Sequence, residues 1–298
     1  MQKRAIAVHD LSCVGRCSLT VVLPILSAAG IEVSALPTAL LSTHSAGFQN
    51  YHYRDLSEDM EKIVTHWESL SLPCDTIYTG FLSSESQIDS VKEYITRLKY
   101  EKTLIMIDPV MGKNGKIYSV FSGNYPQKMS ELCKLADIIV PNITEAFFLS
   151  GKTYHDGPYS VEEITELLHT LADFGCGQVV ITGVNFDEGN LGAASFNKKD
   201  NLIHYTSSTL ISPMFYGTGD VFGSALLAAL LHELTLAQAC AVAAQYTVDS
   251  INRTKISGTD PKYGVQFETG LTSLIQLIQN AVGEKQNAEA AKNSGNLA

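Results

Sequence analysis

Gly217-Thr218-Gly219-Asp220 puts two conformationally free residues and one carboxylate directly ahead of a run that is apolar on nearly every face, Val221-Phe222-Gly223-Ser224-Ala225-Leu226-Leu227-Ala228-Ala229-Leu230-Leu231. A helix apolar all round belongs in an interior. Glycine admits φ > 0, so several backbone N–H groups can converge on one point, and the helix N-terminus adds its partial positive charge there. The stretch reads as a phosphate cradle with Asp220 beside it as a base. Thr and Asp are also ordinary helix caps, so the chemical reading depends on what else the chain supplies.

Two further acidic positions follow short apolar runs. Asp108-Pro109-Val110-Met111-Gly112 comes after residues 104–107, which puts Asp108 at the carboxyl edge of a sheet, where open α/β folds bind ligands. Pro141-Asn142-Ile143-Thr144-Glu145 follows 137–140 in the same way. Asn142 and Glu145 have the spacing of a capping box. A carboxylate there can also hold Mg²⁺ through water, because magnesium keeps much of its hydration shell and needs few protein ligands. The two roles are compatible. Neither a P-loop ending in Gly-Lys-Ser/Thr nor a Gly-x-Gly-x-x-Gly after the first strand is present, so residues 217–220 are the anion cradle on offer.

The elements that must position these groups alternate. Strand-like runs at 4–8, 32–36, 76–78, 103–107, 138–140 and 178–181 are separated by helix-like segments at 18–29, 86–100, 145–149 and 161–174. Parallel strands covered by helices on both faces satisfy that pattern. Residues 42–56 and 189–213 interrupt it. The second reads as a hairpin with Asn197-Lys198-Lys199-Asp200 at its tip, and both suit lids. Residues 1–282 are expected to form a single domain and 283–298, which lack an apolar period, a disordered tail.

The 298 residues, 45% hydrophobic and 17% charged, can fill one large core. A net charge of −10 argues against a general nucleic-acid or anionic-membrane surface, so a phosphate ligand must be met by local donors and a metal. Cysteines at 13, 17, 74, 133, 176 and 240 lack the second close pair of a zinc site and read as reduced, mostly buried thiols. With no signal-peptide pattern and no long apolar run, the expected location is cytoplasmic.

Asp-Pro-Val-Met-Gly, then Pro-Asn-x-x-Glu, then Gly-Thr-Gly-Asp opening an apolar helix, in that order, resembles the ribokinase-like superfamily and more narrowly its pyridoxal (pyridoxine, pyridoxamine) kinases, over residues of about 4 to 280. The resemblance implies a three-layer α/β/α ribokinase-like fold with a central, mostly parallel sheet. It implies Asp220 as base toward the substrate hydroxymethyl, with the amides of Gly217, Thr218 and Gly219 around the moving γ-phosphoryl. ATP would be organised by Asp108, Asn142, Glu145, Thr182 and Thr218, with Mg²⁺ at Asp108 and Glu145 and a monovalent cation such as K⁺. His9-Asp10-Leu11-Ser12 occupies the family's pyridine-ring position, Ser42-Thr43-His44-Ser45-Ala46-Gly47-Phe48 resembles its Ser-Asn-His-Thr-Gly-Tyr segment, and Tyr78-Thr79-Gly80-Phe81 one whose aromatic lies against the ring. His9, Asp10, Ser12, His44, Ser45, Phe81 and Asp220 are thereby implied as substrate contacts, and a homodimer as the assembly.

The chain departs from that pattern where His9-Asp10 replaces a Ser-His pair and Ser45 a threonine, with one residue added before Gly47. The expected activity is ATP-dependent phosphorylation of the 5′-hydroxymethyl of pyridoxal, pyridoxine or pyridoxamine. Its alternatives are a hydroxymethylpyrimidine kinase of thiamine synthesis, similar at His9-Asp10-Leu11-Ser12, and a non-catalytic ligand-binding protein on the same fold.

Overall fold

The computed structural model describes residues 2–295 apart from 46, 122 and 213, and for 288–295 the backbone alone. In chain order its elements are β1 (Arg4–Ser12), α1 (Leu19–Ala28), β2 (Glu32–Leu41), β3 (Tyr53–Asp55), α2 (Ser57–Ser69), β4 (Thr76–Thr79), α3 (Glu85–Leu98), β5 (Leu104–Ile107), β6 (Gly112–Lys113) and β7 (Lys116–Ile117). There follow α4 (Tyr125–Cys133), β8 (Ile138–Ile139), α5 (Ile143–Ser150), α6 (Val161–Ala172), β9 (Gln178–Val184), β10 (Asn190–Asn197), β11 (Leu202–Thr209), α7 (Thr218–Leu231), α8 (Leu236–Ser257) and α9 (Leu271–Gly295).

Period-two alternation decides the layering. Ile6, Val8, Ile77, Ile105, Ile107, Ile139, Val179 and Ile181 pack with the residues of α2 to α6. Their strand neighbours Ala5, Ala7, Tyr78, Met106, Ile138 and Val180 pack with α1, α7, α8 and α9. Strands apolar on both faces can only lie between two helical layers. The main sheet runs β11-β10-β9-β8-β5-β4-β1-β2-β3. From β2 to β9 the neighbours are parallel, while β3, β10 and β11 are antiparallel edges. This is the expected three-layer α/β/α arrangement with a mostly parallel sheet.

The first strand is longer than its apolar run predicts, because His9, Leu11 and Ser12 continue the ladder with β2. The 189–213 interruption is the antiparallel pair β10 and β11, with Pro213 outside the described residues. The reading of 283–298 as a tail meets a different local structure: α9 continues to Gly295, and 296–298 lie outside the described residues. Ala, Glu, Lys and Gln have high intrinsic helix propensity, which an apolar period does not register. Among the described residues no helix is long and apolar enough to cross a membrane.

Candidate active site

Because β1, β4, β5, β8 and β9 are parallel, their carboxyl ends share one edge of the sheet. The strand order reverses between β1 and β4, the place where such sheets receive ligands. The register there passes from His9↔Pro37 to Leu11↔Leu40, so Thr38 and Ala39 of β2 stand against Asp10 alone. Proline has no N–H for the ladder, and a bulge re-aims the side chains beside it. Asp10 is buried and accepts hydrogen bonds from the Ser12 hydroxyl at 2.9 Å and from the Ser18 hydroxyl. Burial still pushes its pKa up.

Burial of His9 is complete, its ring edge-on to Tyr78 at a centroid distance of 4.5 Å, and neither ring nitrogen has a hydrogen-bond partner among the described residues. Burial lowers its pKa to about 3, which the Tyr78 main chain opposes from outside hydrogen-bonding geometry. The imidazole is neutral. His9 thus presents no surface to solvent where the sequence suggests a substrate contact. Ser12 is also fully buried, its hydroxyl on Asp10.

Asp220 is partly open to the cleft but enclosed on its other sides. Enclosure raises its pKa to about 7. The Ser18 amide opposes that shift and the Asp10 charge adds to it. The turn ahead of it is built as the sequence suggests, with one difference. Gly217 caps α7 in the left-handed region at φ 73° and presses against the Arg16 carbonyl, whereas Gly219 is helical and lies open. The amides of Thr218, Gly219 and Asp220 are therefore the unpaired first-turn donors of a helix whose next nine residues, 221–229, are buried.

Asn142 and Glu145 form a complete capping box: the Asn142 side chain accepts from the Glu145 amide at 3.1 Å, and Glu145 Oε2 accepts from the Asn142 amide at 2.8 Å. Glu145 Oε1 also accepts the amides of Met111 at 3.0 Å and Gly112 at 3.4 Å. Even so, burial raises its pKa to about 7. Asp108 is shifted well upward, first by burial and then by the charges of Glu145 and Asp220, so these three carboxylates form one electrostatic cluster. Thr182 bridges Asn142 across the sheet edge and donates its amide to the Pro141 carbonyl at 2.9 Å.

Among the described residues no three His, Cys, Asp or Glu side chains converge to hold a metal unaided. The donor set instead fits a magnesium ion that arrives on phosphates and keeps its waters, since one or two carboxylates suffice there. Asp108 offers the freer oxygens, because both Glu145 oxygens already take amides.

The wall opposite is His44, whose Nε2 donates to the Lys262 carbonyl at 2.6 Å and whose ring meets Phe48 and Tyr216 at 4.9 and 5.6 Å. Ser45 is exposed and Ala46 lies outside the described residues. Phe81 packs on Phe121, itself stacked on Tyr125. Cys13 is exposed, contrary to the expected buried thiol, and Cys17 is half-buried with its pKa pushed well up by burial and by Asp220. Sequence reasoning missed Ser18, which touches both Asp10 and Asp220. It stands in the N-cap position of α1 but makes no side-chain cap bond, so the capping signal pointed elsewhere.

The model of the phosphomethylpyrimidine kinase family matches residues 26–264. A candidate phosphomethylpyrimidine kinase from Bacteroides thetaiotaomicron, in a crystal form with pyridoxal, is 36% identical with a TM-score of 0.88, covering 92% of this chain and 96% of its own. Pyridoxal kinase from Lactobacillus plantarum is 29% identical with a TM-score of 0.85, covering 94% and 99%. Pyridoxal kinase of Ovis aries is 29% identical over 67% of this chain and 68% of its own length.

Proposed function

The chain belongs to the phosphomethylpyrimidine kinase family, and from that membership we propose that it transfers the γ-phosphoryl of ATP to the 5′-hydroxymethyl of pyridoxal, pyridoxine or pyridoxamine. The observation that carries the reading is the seating of Asp220 in the first turn of α7, among free amides and within the field of Asp108, which also feels Glu145. Phosphoryl transfer asks a protein for positioning and charge stabilisation more than for covalent chemistry. The amides of residues 218–220 meet the charge on the moving phosphoryl, and Asp220 accepts the hydroxyl proton. A base with pKa of about 7 is half ionised at neutral pH and a competent acceptor.

Asp108, Asn142, Glu145 and Thr182 line the nucleotide side. Magnesium, when bound with ATP, supplies charge neutralisation across the phosphates, and Asp108 with Glu145 would hold it through water. On the acceptor side Asp10, placed by Ser12 and Ser18, faces the polar part of the ring, while His44 and Phe81 with their aromatic neighbours supply flat apolar walls. A homodimer, a monovalent cation such as K⁺ and a cytoplasmic location complete the proposal; the first two rest on the family resemblance, and the last is supported by cysteines that are all free.

Hydroxymethylpyrimidine as acceptor is the second reading, favoured by the name of the matching family. ADP release measured with pyridoxal, pyridoxine, pyridoxamine and hydroxymethylpyrimidine tests both. Turnover with none of them returns the fold to a ligand-binding role.

A further inference from the structure

We propose that Lys113 is a nucleotide-contacting residue whose ammonium engages the terminal phosphates of ATP beside Glu145, an assignment that rests on the kinase reading above. Lys113 and Lys116 pair across a two-residue turn, Asn114-Gly115, in which both residues have positive φ, 52° and 70°. That is the type I′ hairpin favoured by an Asn-Gly sequence. The hairpin is tied to the nucleotide side at three points and closed at its base by a fourth bond. Glu145 Oε1 accepts the Gly112 amide, Asn142 Nδ2 donates to the Gly112 carbonyl at 2.9 Å, Thr144 Oγ1 accepts the Gly115 amide at 3.1 Å, and the Tyr118 amide donates to the Met111 carbonyl at 3.0 Å. Three of these anchors belong to the first turn of α5 or its cap, so the hairpin cannot drift from the carboxylate cluster.

The two lysines of this pair differ. Lys116 is exposed, whereas Lys113 is half-buried, feels the Glu145 charge and forms no ion pair among the described residues. Desolvation depresses the Lys113 pKa and the Glu145 charge opposes that depression, so the ammonium sits within the field of the cluster. A cation is worth placing there only for a reason beyond Glu145, because Glu145 already accepts three amides. Asp108, Glu145 and Asp220 together repel a triphosphate, in a chain of net charge −10. The Lys113 charge acts on Glu145 and opposes the upward shift of its pKa. Lys113 supplies a compact point charge, suited to phosphate oxygens.

Calorimetric titration with ADP and with AMP, on the wild type and on Lys113→Gln, Lys113→Met and Lys113→Arg, tests this. Loss of one charge-assisted contact predicts ADP binding weakened by roughly 10- to 100-fold in the Gln and Met variants, with AMP affinity unchanged and Arg restoring part of the loss. The KM for ATP should rise while the KM for pyridoxal stays put. Wild-type ADP affinity in both neutral variants overturns the proposal while the kinase reading stands. Equal losses for ADP and AMP also overturn it, since they would report a disturbed hairpin. A wild type that binds no adenine nucleotide removes the kinase reading and this assignment together.

Discussion

Ser18 turns its backbone amide toward the Asp220 carboxylate while its hydroxyl donates to Asp10, so one residue joins the carboxylate at the sheet's switch point to the base on α7. It does so at φ 52° and ψ −133°, a conformation that costs a non-glycine residue on the order of 1–3 kcal/mol. Such strain persists where surrounding contacts over-determine it, and Ser18 is buried with its hydroxyl bonded to Asp10. Replacing its hydroxyl, as in Ser18→Ala, leaves the amide at Asp220 but strips a donor from buried Asp10. The expected result is a higher KM for the acceptor with the KM for ATP unchanged, read from steady-state kinetics on both substrates.

The pH dependence follows from Asp220. A base must be ionised to accept a proton, and burial has moved this one to about 7. Below that pH log(kcat/KM) for the acceptor should fall with unit slope, and above it should level off. Because Asp108 and Glu145 titrate in the same field, the apparent value belongs to the cluster. An acid limb centred near pH 4 would contradict the burial of the base.

Asp220→Asn keeps the shape of the side chain and removes its basicity. The expected loss is roughly 10²–10⁴ in kcat, the usual scale for a general base, with ADP affinity and melting temperature near wild type. Near-normal turnover would remove Asp220 from the proton transfer.

Glu145 serves structure and electrostatics at once, and the two separate by measurement. In Glu145→Gln the amide cannot accept at one of its atoms, so a capping contact weakens by about 1 kcal/mol, while the Mg²⁺ concentration for half-maximal rate rises. Asp108→Asn should raise the magnesium requirement without the capping loss. The pH sign is fixed: Glu145 has a folded pKa of about 7 against an ordinary 4.5, so the folded state holds the proton more tightly. Its ionisation therefore costs stability progressively as pH rises from about 4.5 to 7, and the Gln variant should lack that slope in urea titrations. An unchanged magnesium requirement in both variants would leave Glu145 with its structural role alone.

Much of the site is legible in the chain because it is punctuated. Asp108 and Asn142 follow apolar runs that can only be inner strands, and Gly217 must precede α7 because no other residue type tolerates its φ beside the Arg16 carbonyl. What stayed hidden depends on tertiary contacts. His9 looks like a polar residue past a strand end, but the bulge opposite Asp10 carries β1 on to Ser12 and folds the imidazole under Tyr78. Ser18 reads as a cap until its hydroxyl is seen on Asp10. The Asn114-Gly115 hairpin went unread although its dipeptide favours such a turn, because its strands are too short for a periodic signal. Helix α8 is rich in Ala and small polar residues and shows its face only once packed against α7, β10, β11 and α9.

The closeness of His9 to β4 predicts a packing defect independent of chemistry. A Cβ on Gly80 would lie 2.2 Å from His9 Nδ1, far inside contact distance, and the imidazole has no free space to retreat into. Gly80→Ala should therefore destabilise the fold by about 1–3 kcal/mol through overpacking. Chemical denaturation measures this directly. Gly80→Ala combined with His9→Ala should recover part of the loss, and failure to recover any would show that the clash is relieved elsewhere.

Acceptor preference is the sharpest test, because the family name and the structural relative holding pyridoxal point to different rings. On the proposed acceptor side, Phe81 with Phe121 and His44 with Phe48 and Tyr216 would offer aromatic faces that any flat heterocycle can use. Discrimination must come from polar groups. Asp10 is a buried carboxyl whose raised pKa keeps it ready to share a proton, and its two hydroxyl donors fix its orientation. The pyridoxal vitamers carry a phenolic oxygen at C3 and one ring nitrogen, whereas hydroxymethylpyrimidine offers an amine and a second ring nitrogen. A buried polar group left unpaired by the wrong ligand costs about 1–3 kcal/mol, enough for roughly 10- to 100-fold in kcat/KM. With both alcohols at equal concentration and limiting ATP, pyridoxal phosphate should be the dominant product, and Asp10→Asn should narrow the ratio. Dominant phosphorylation of the pyrimidine would reassign the acceptor while leaving Asp220 and the α7 turn in their roles.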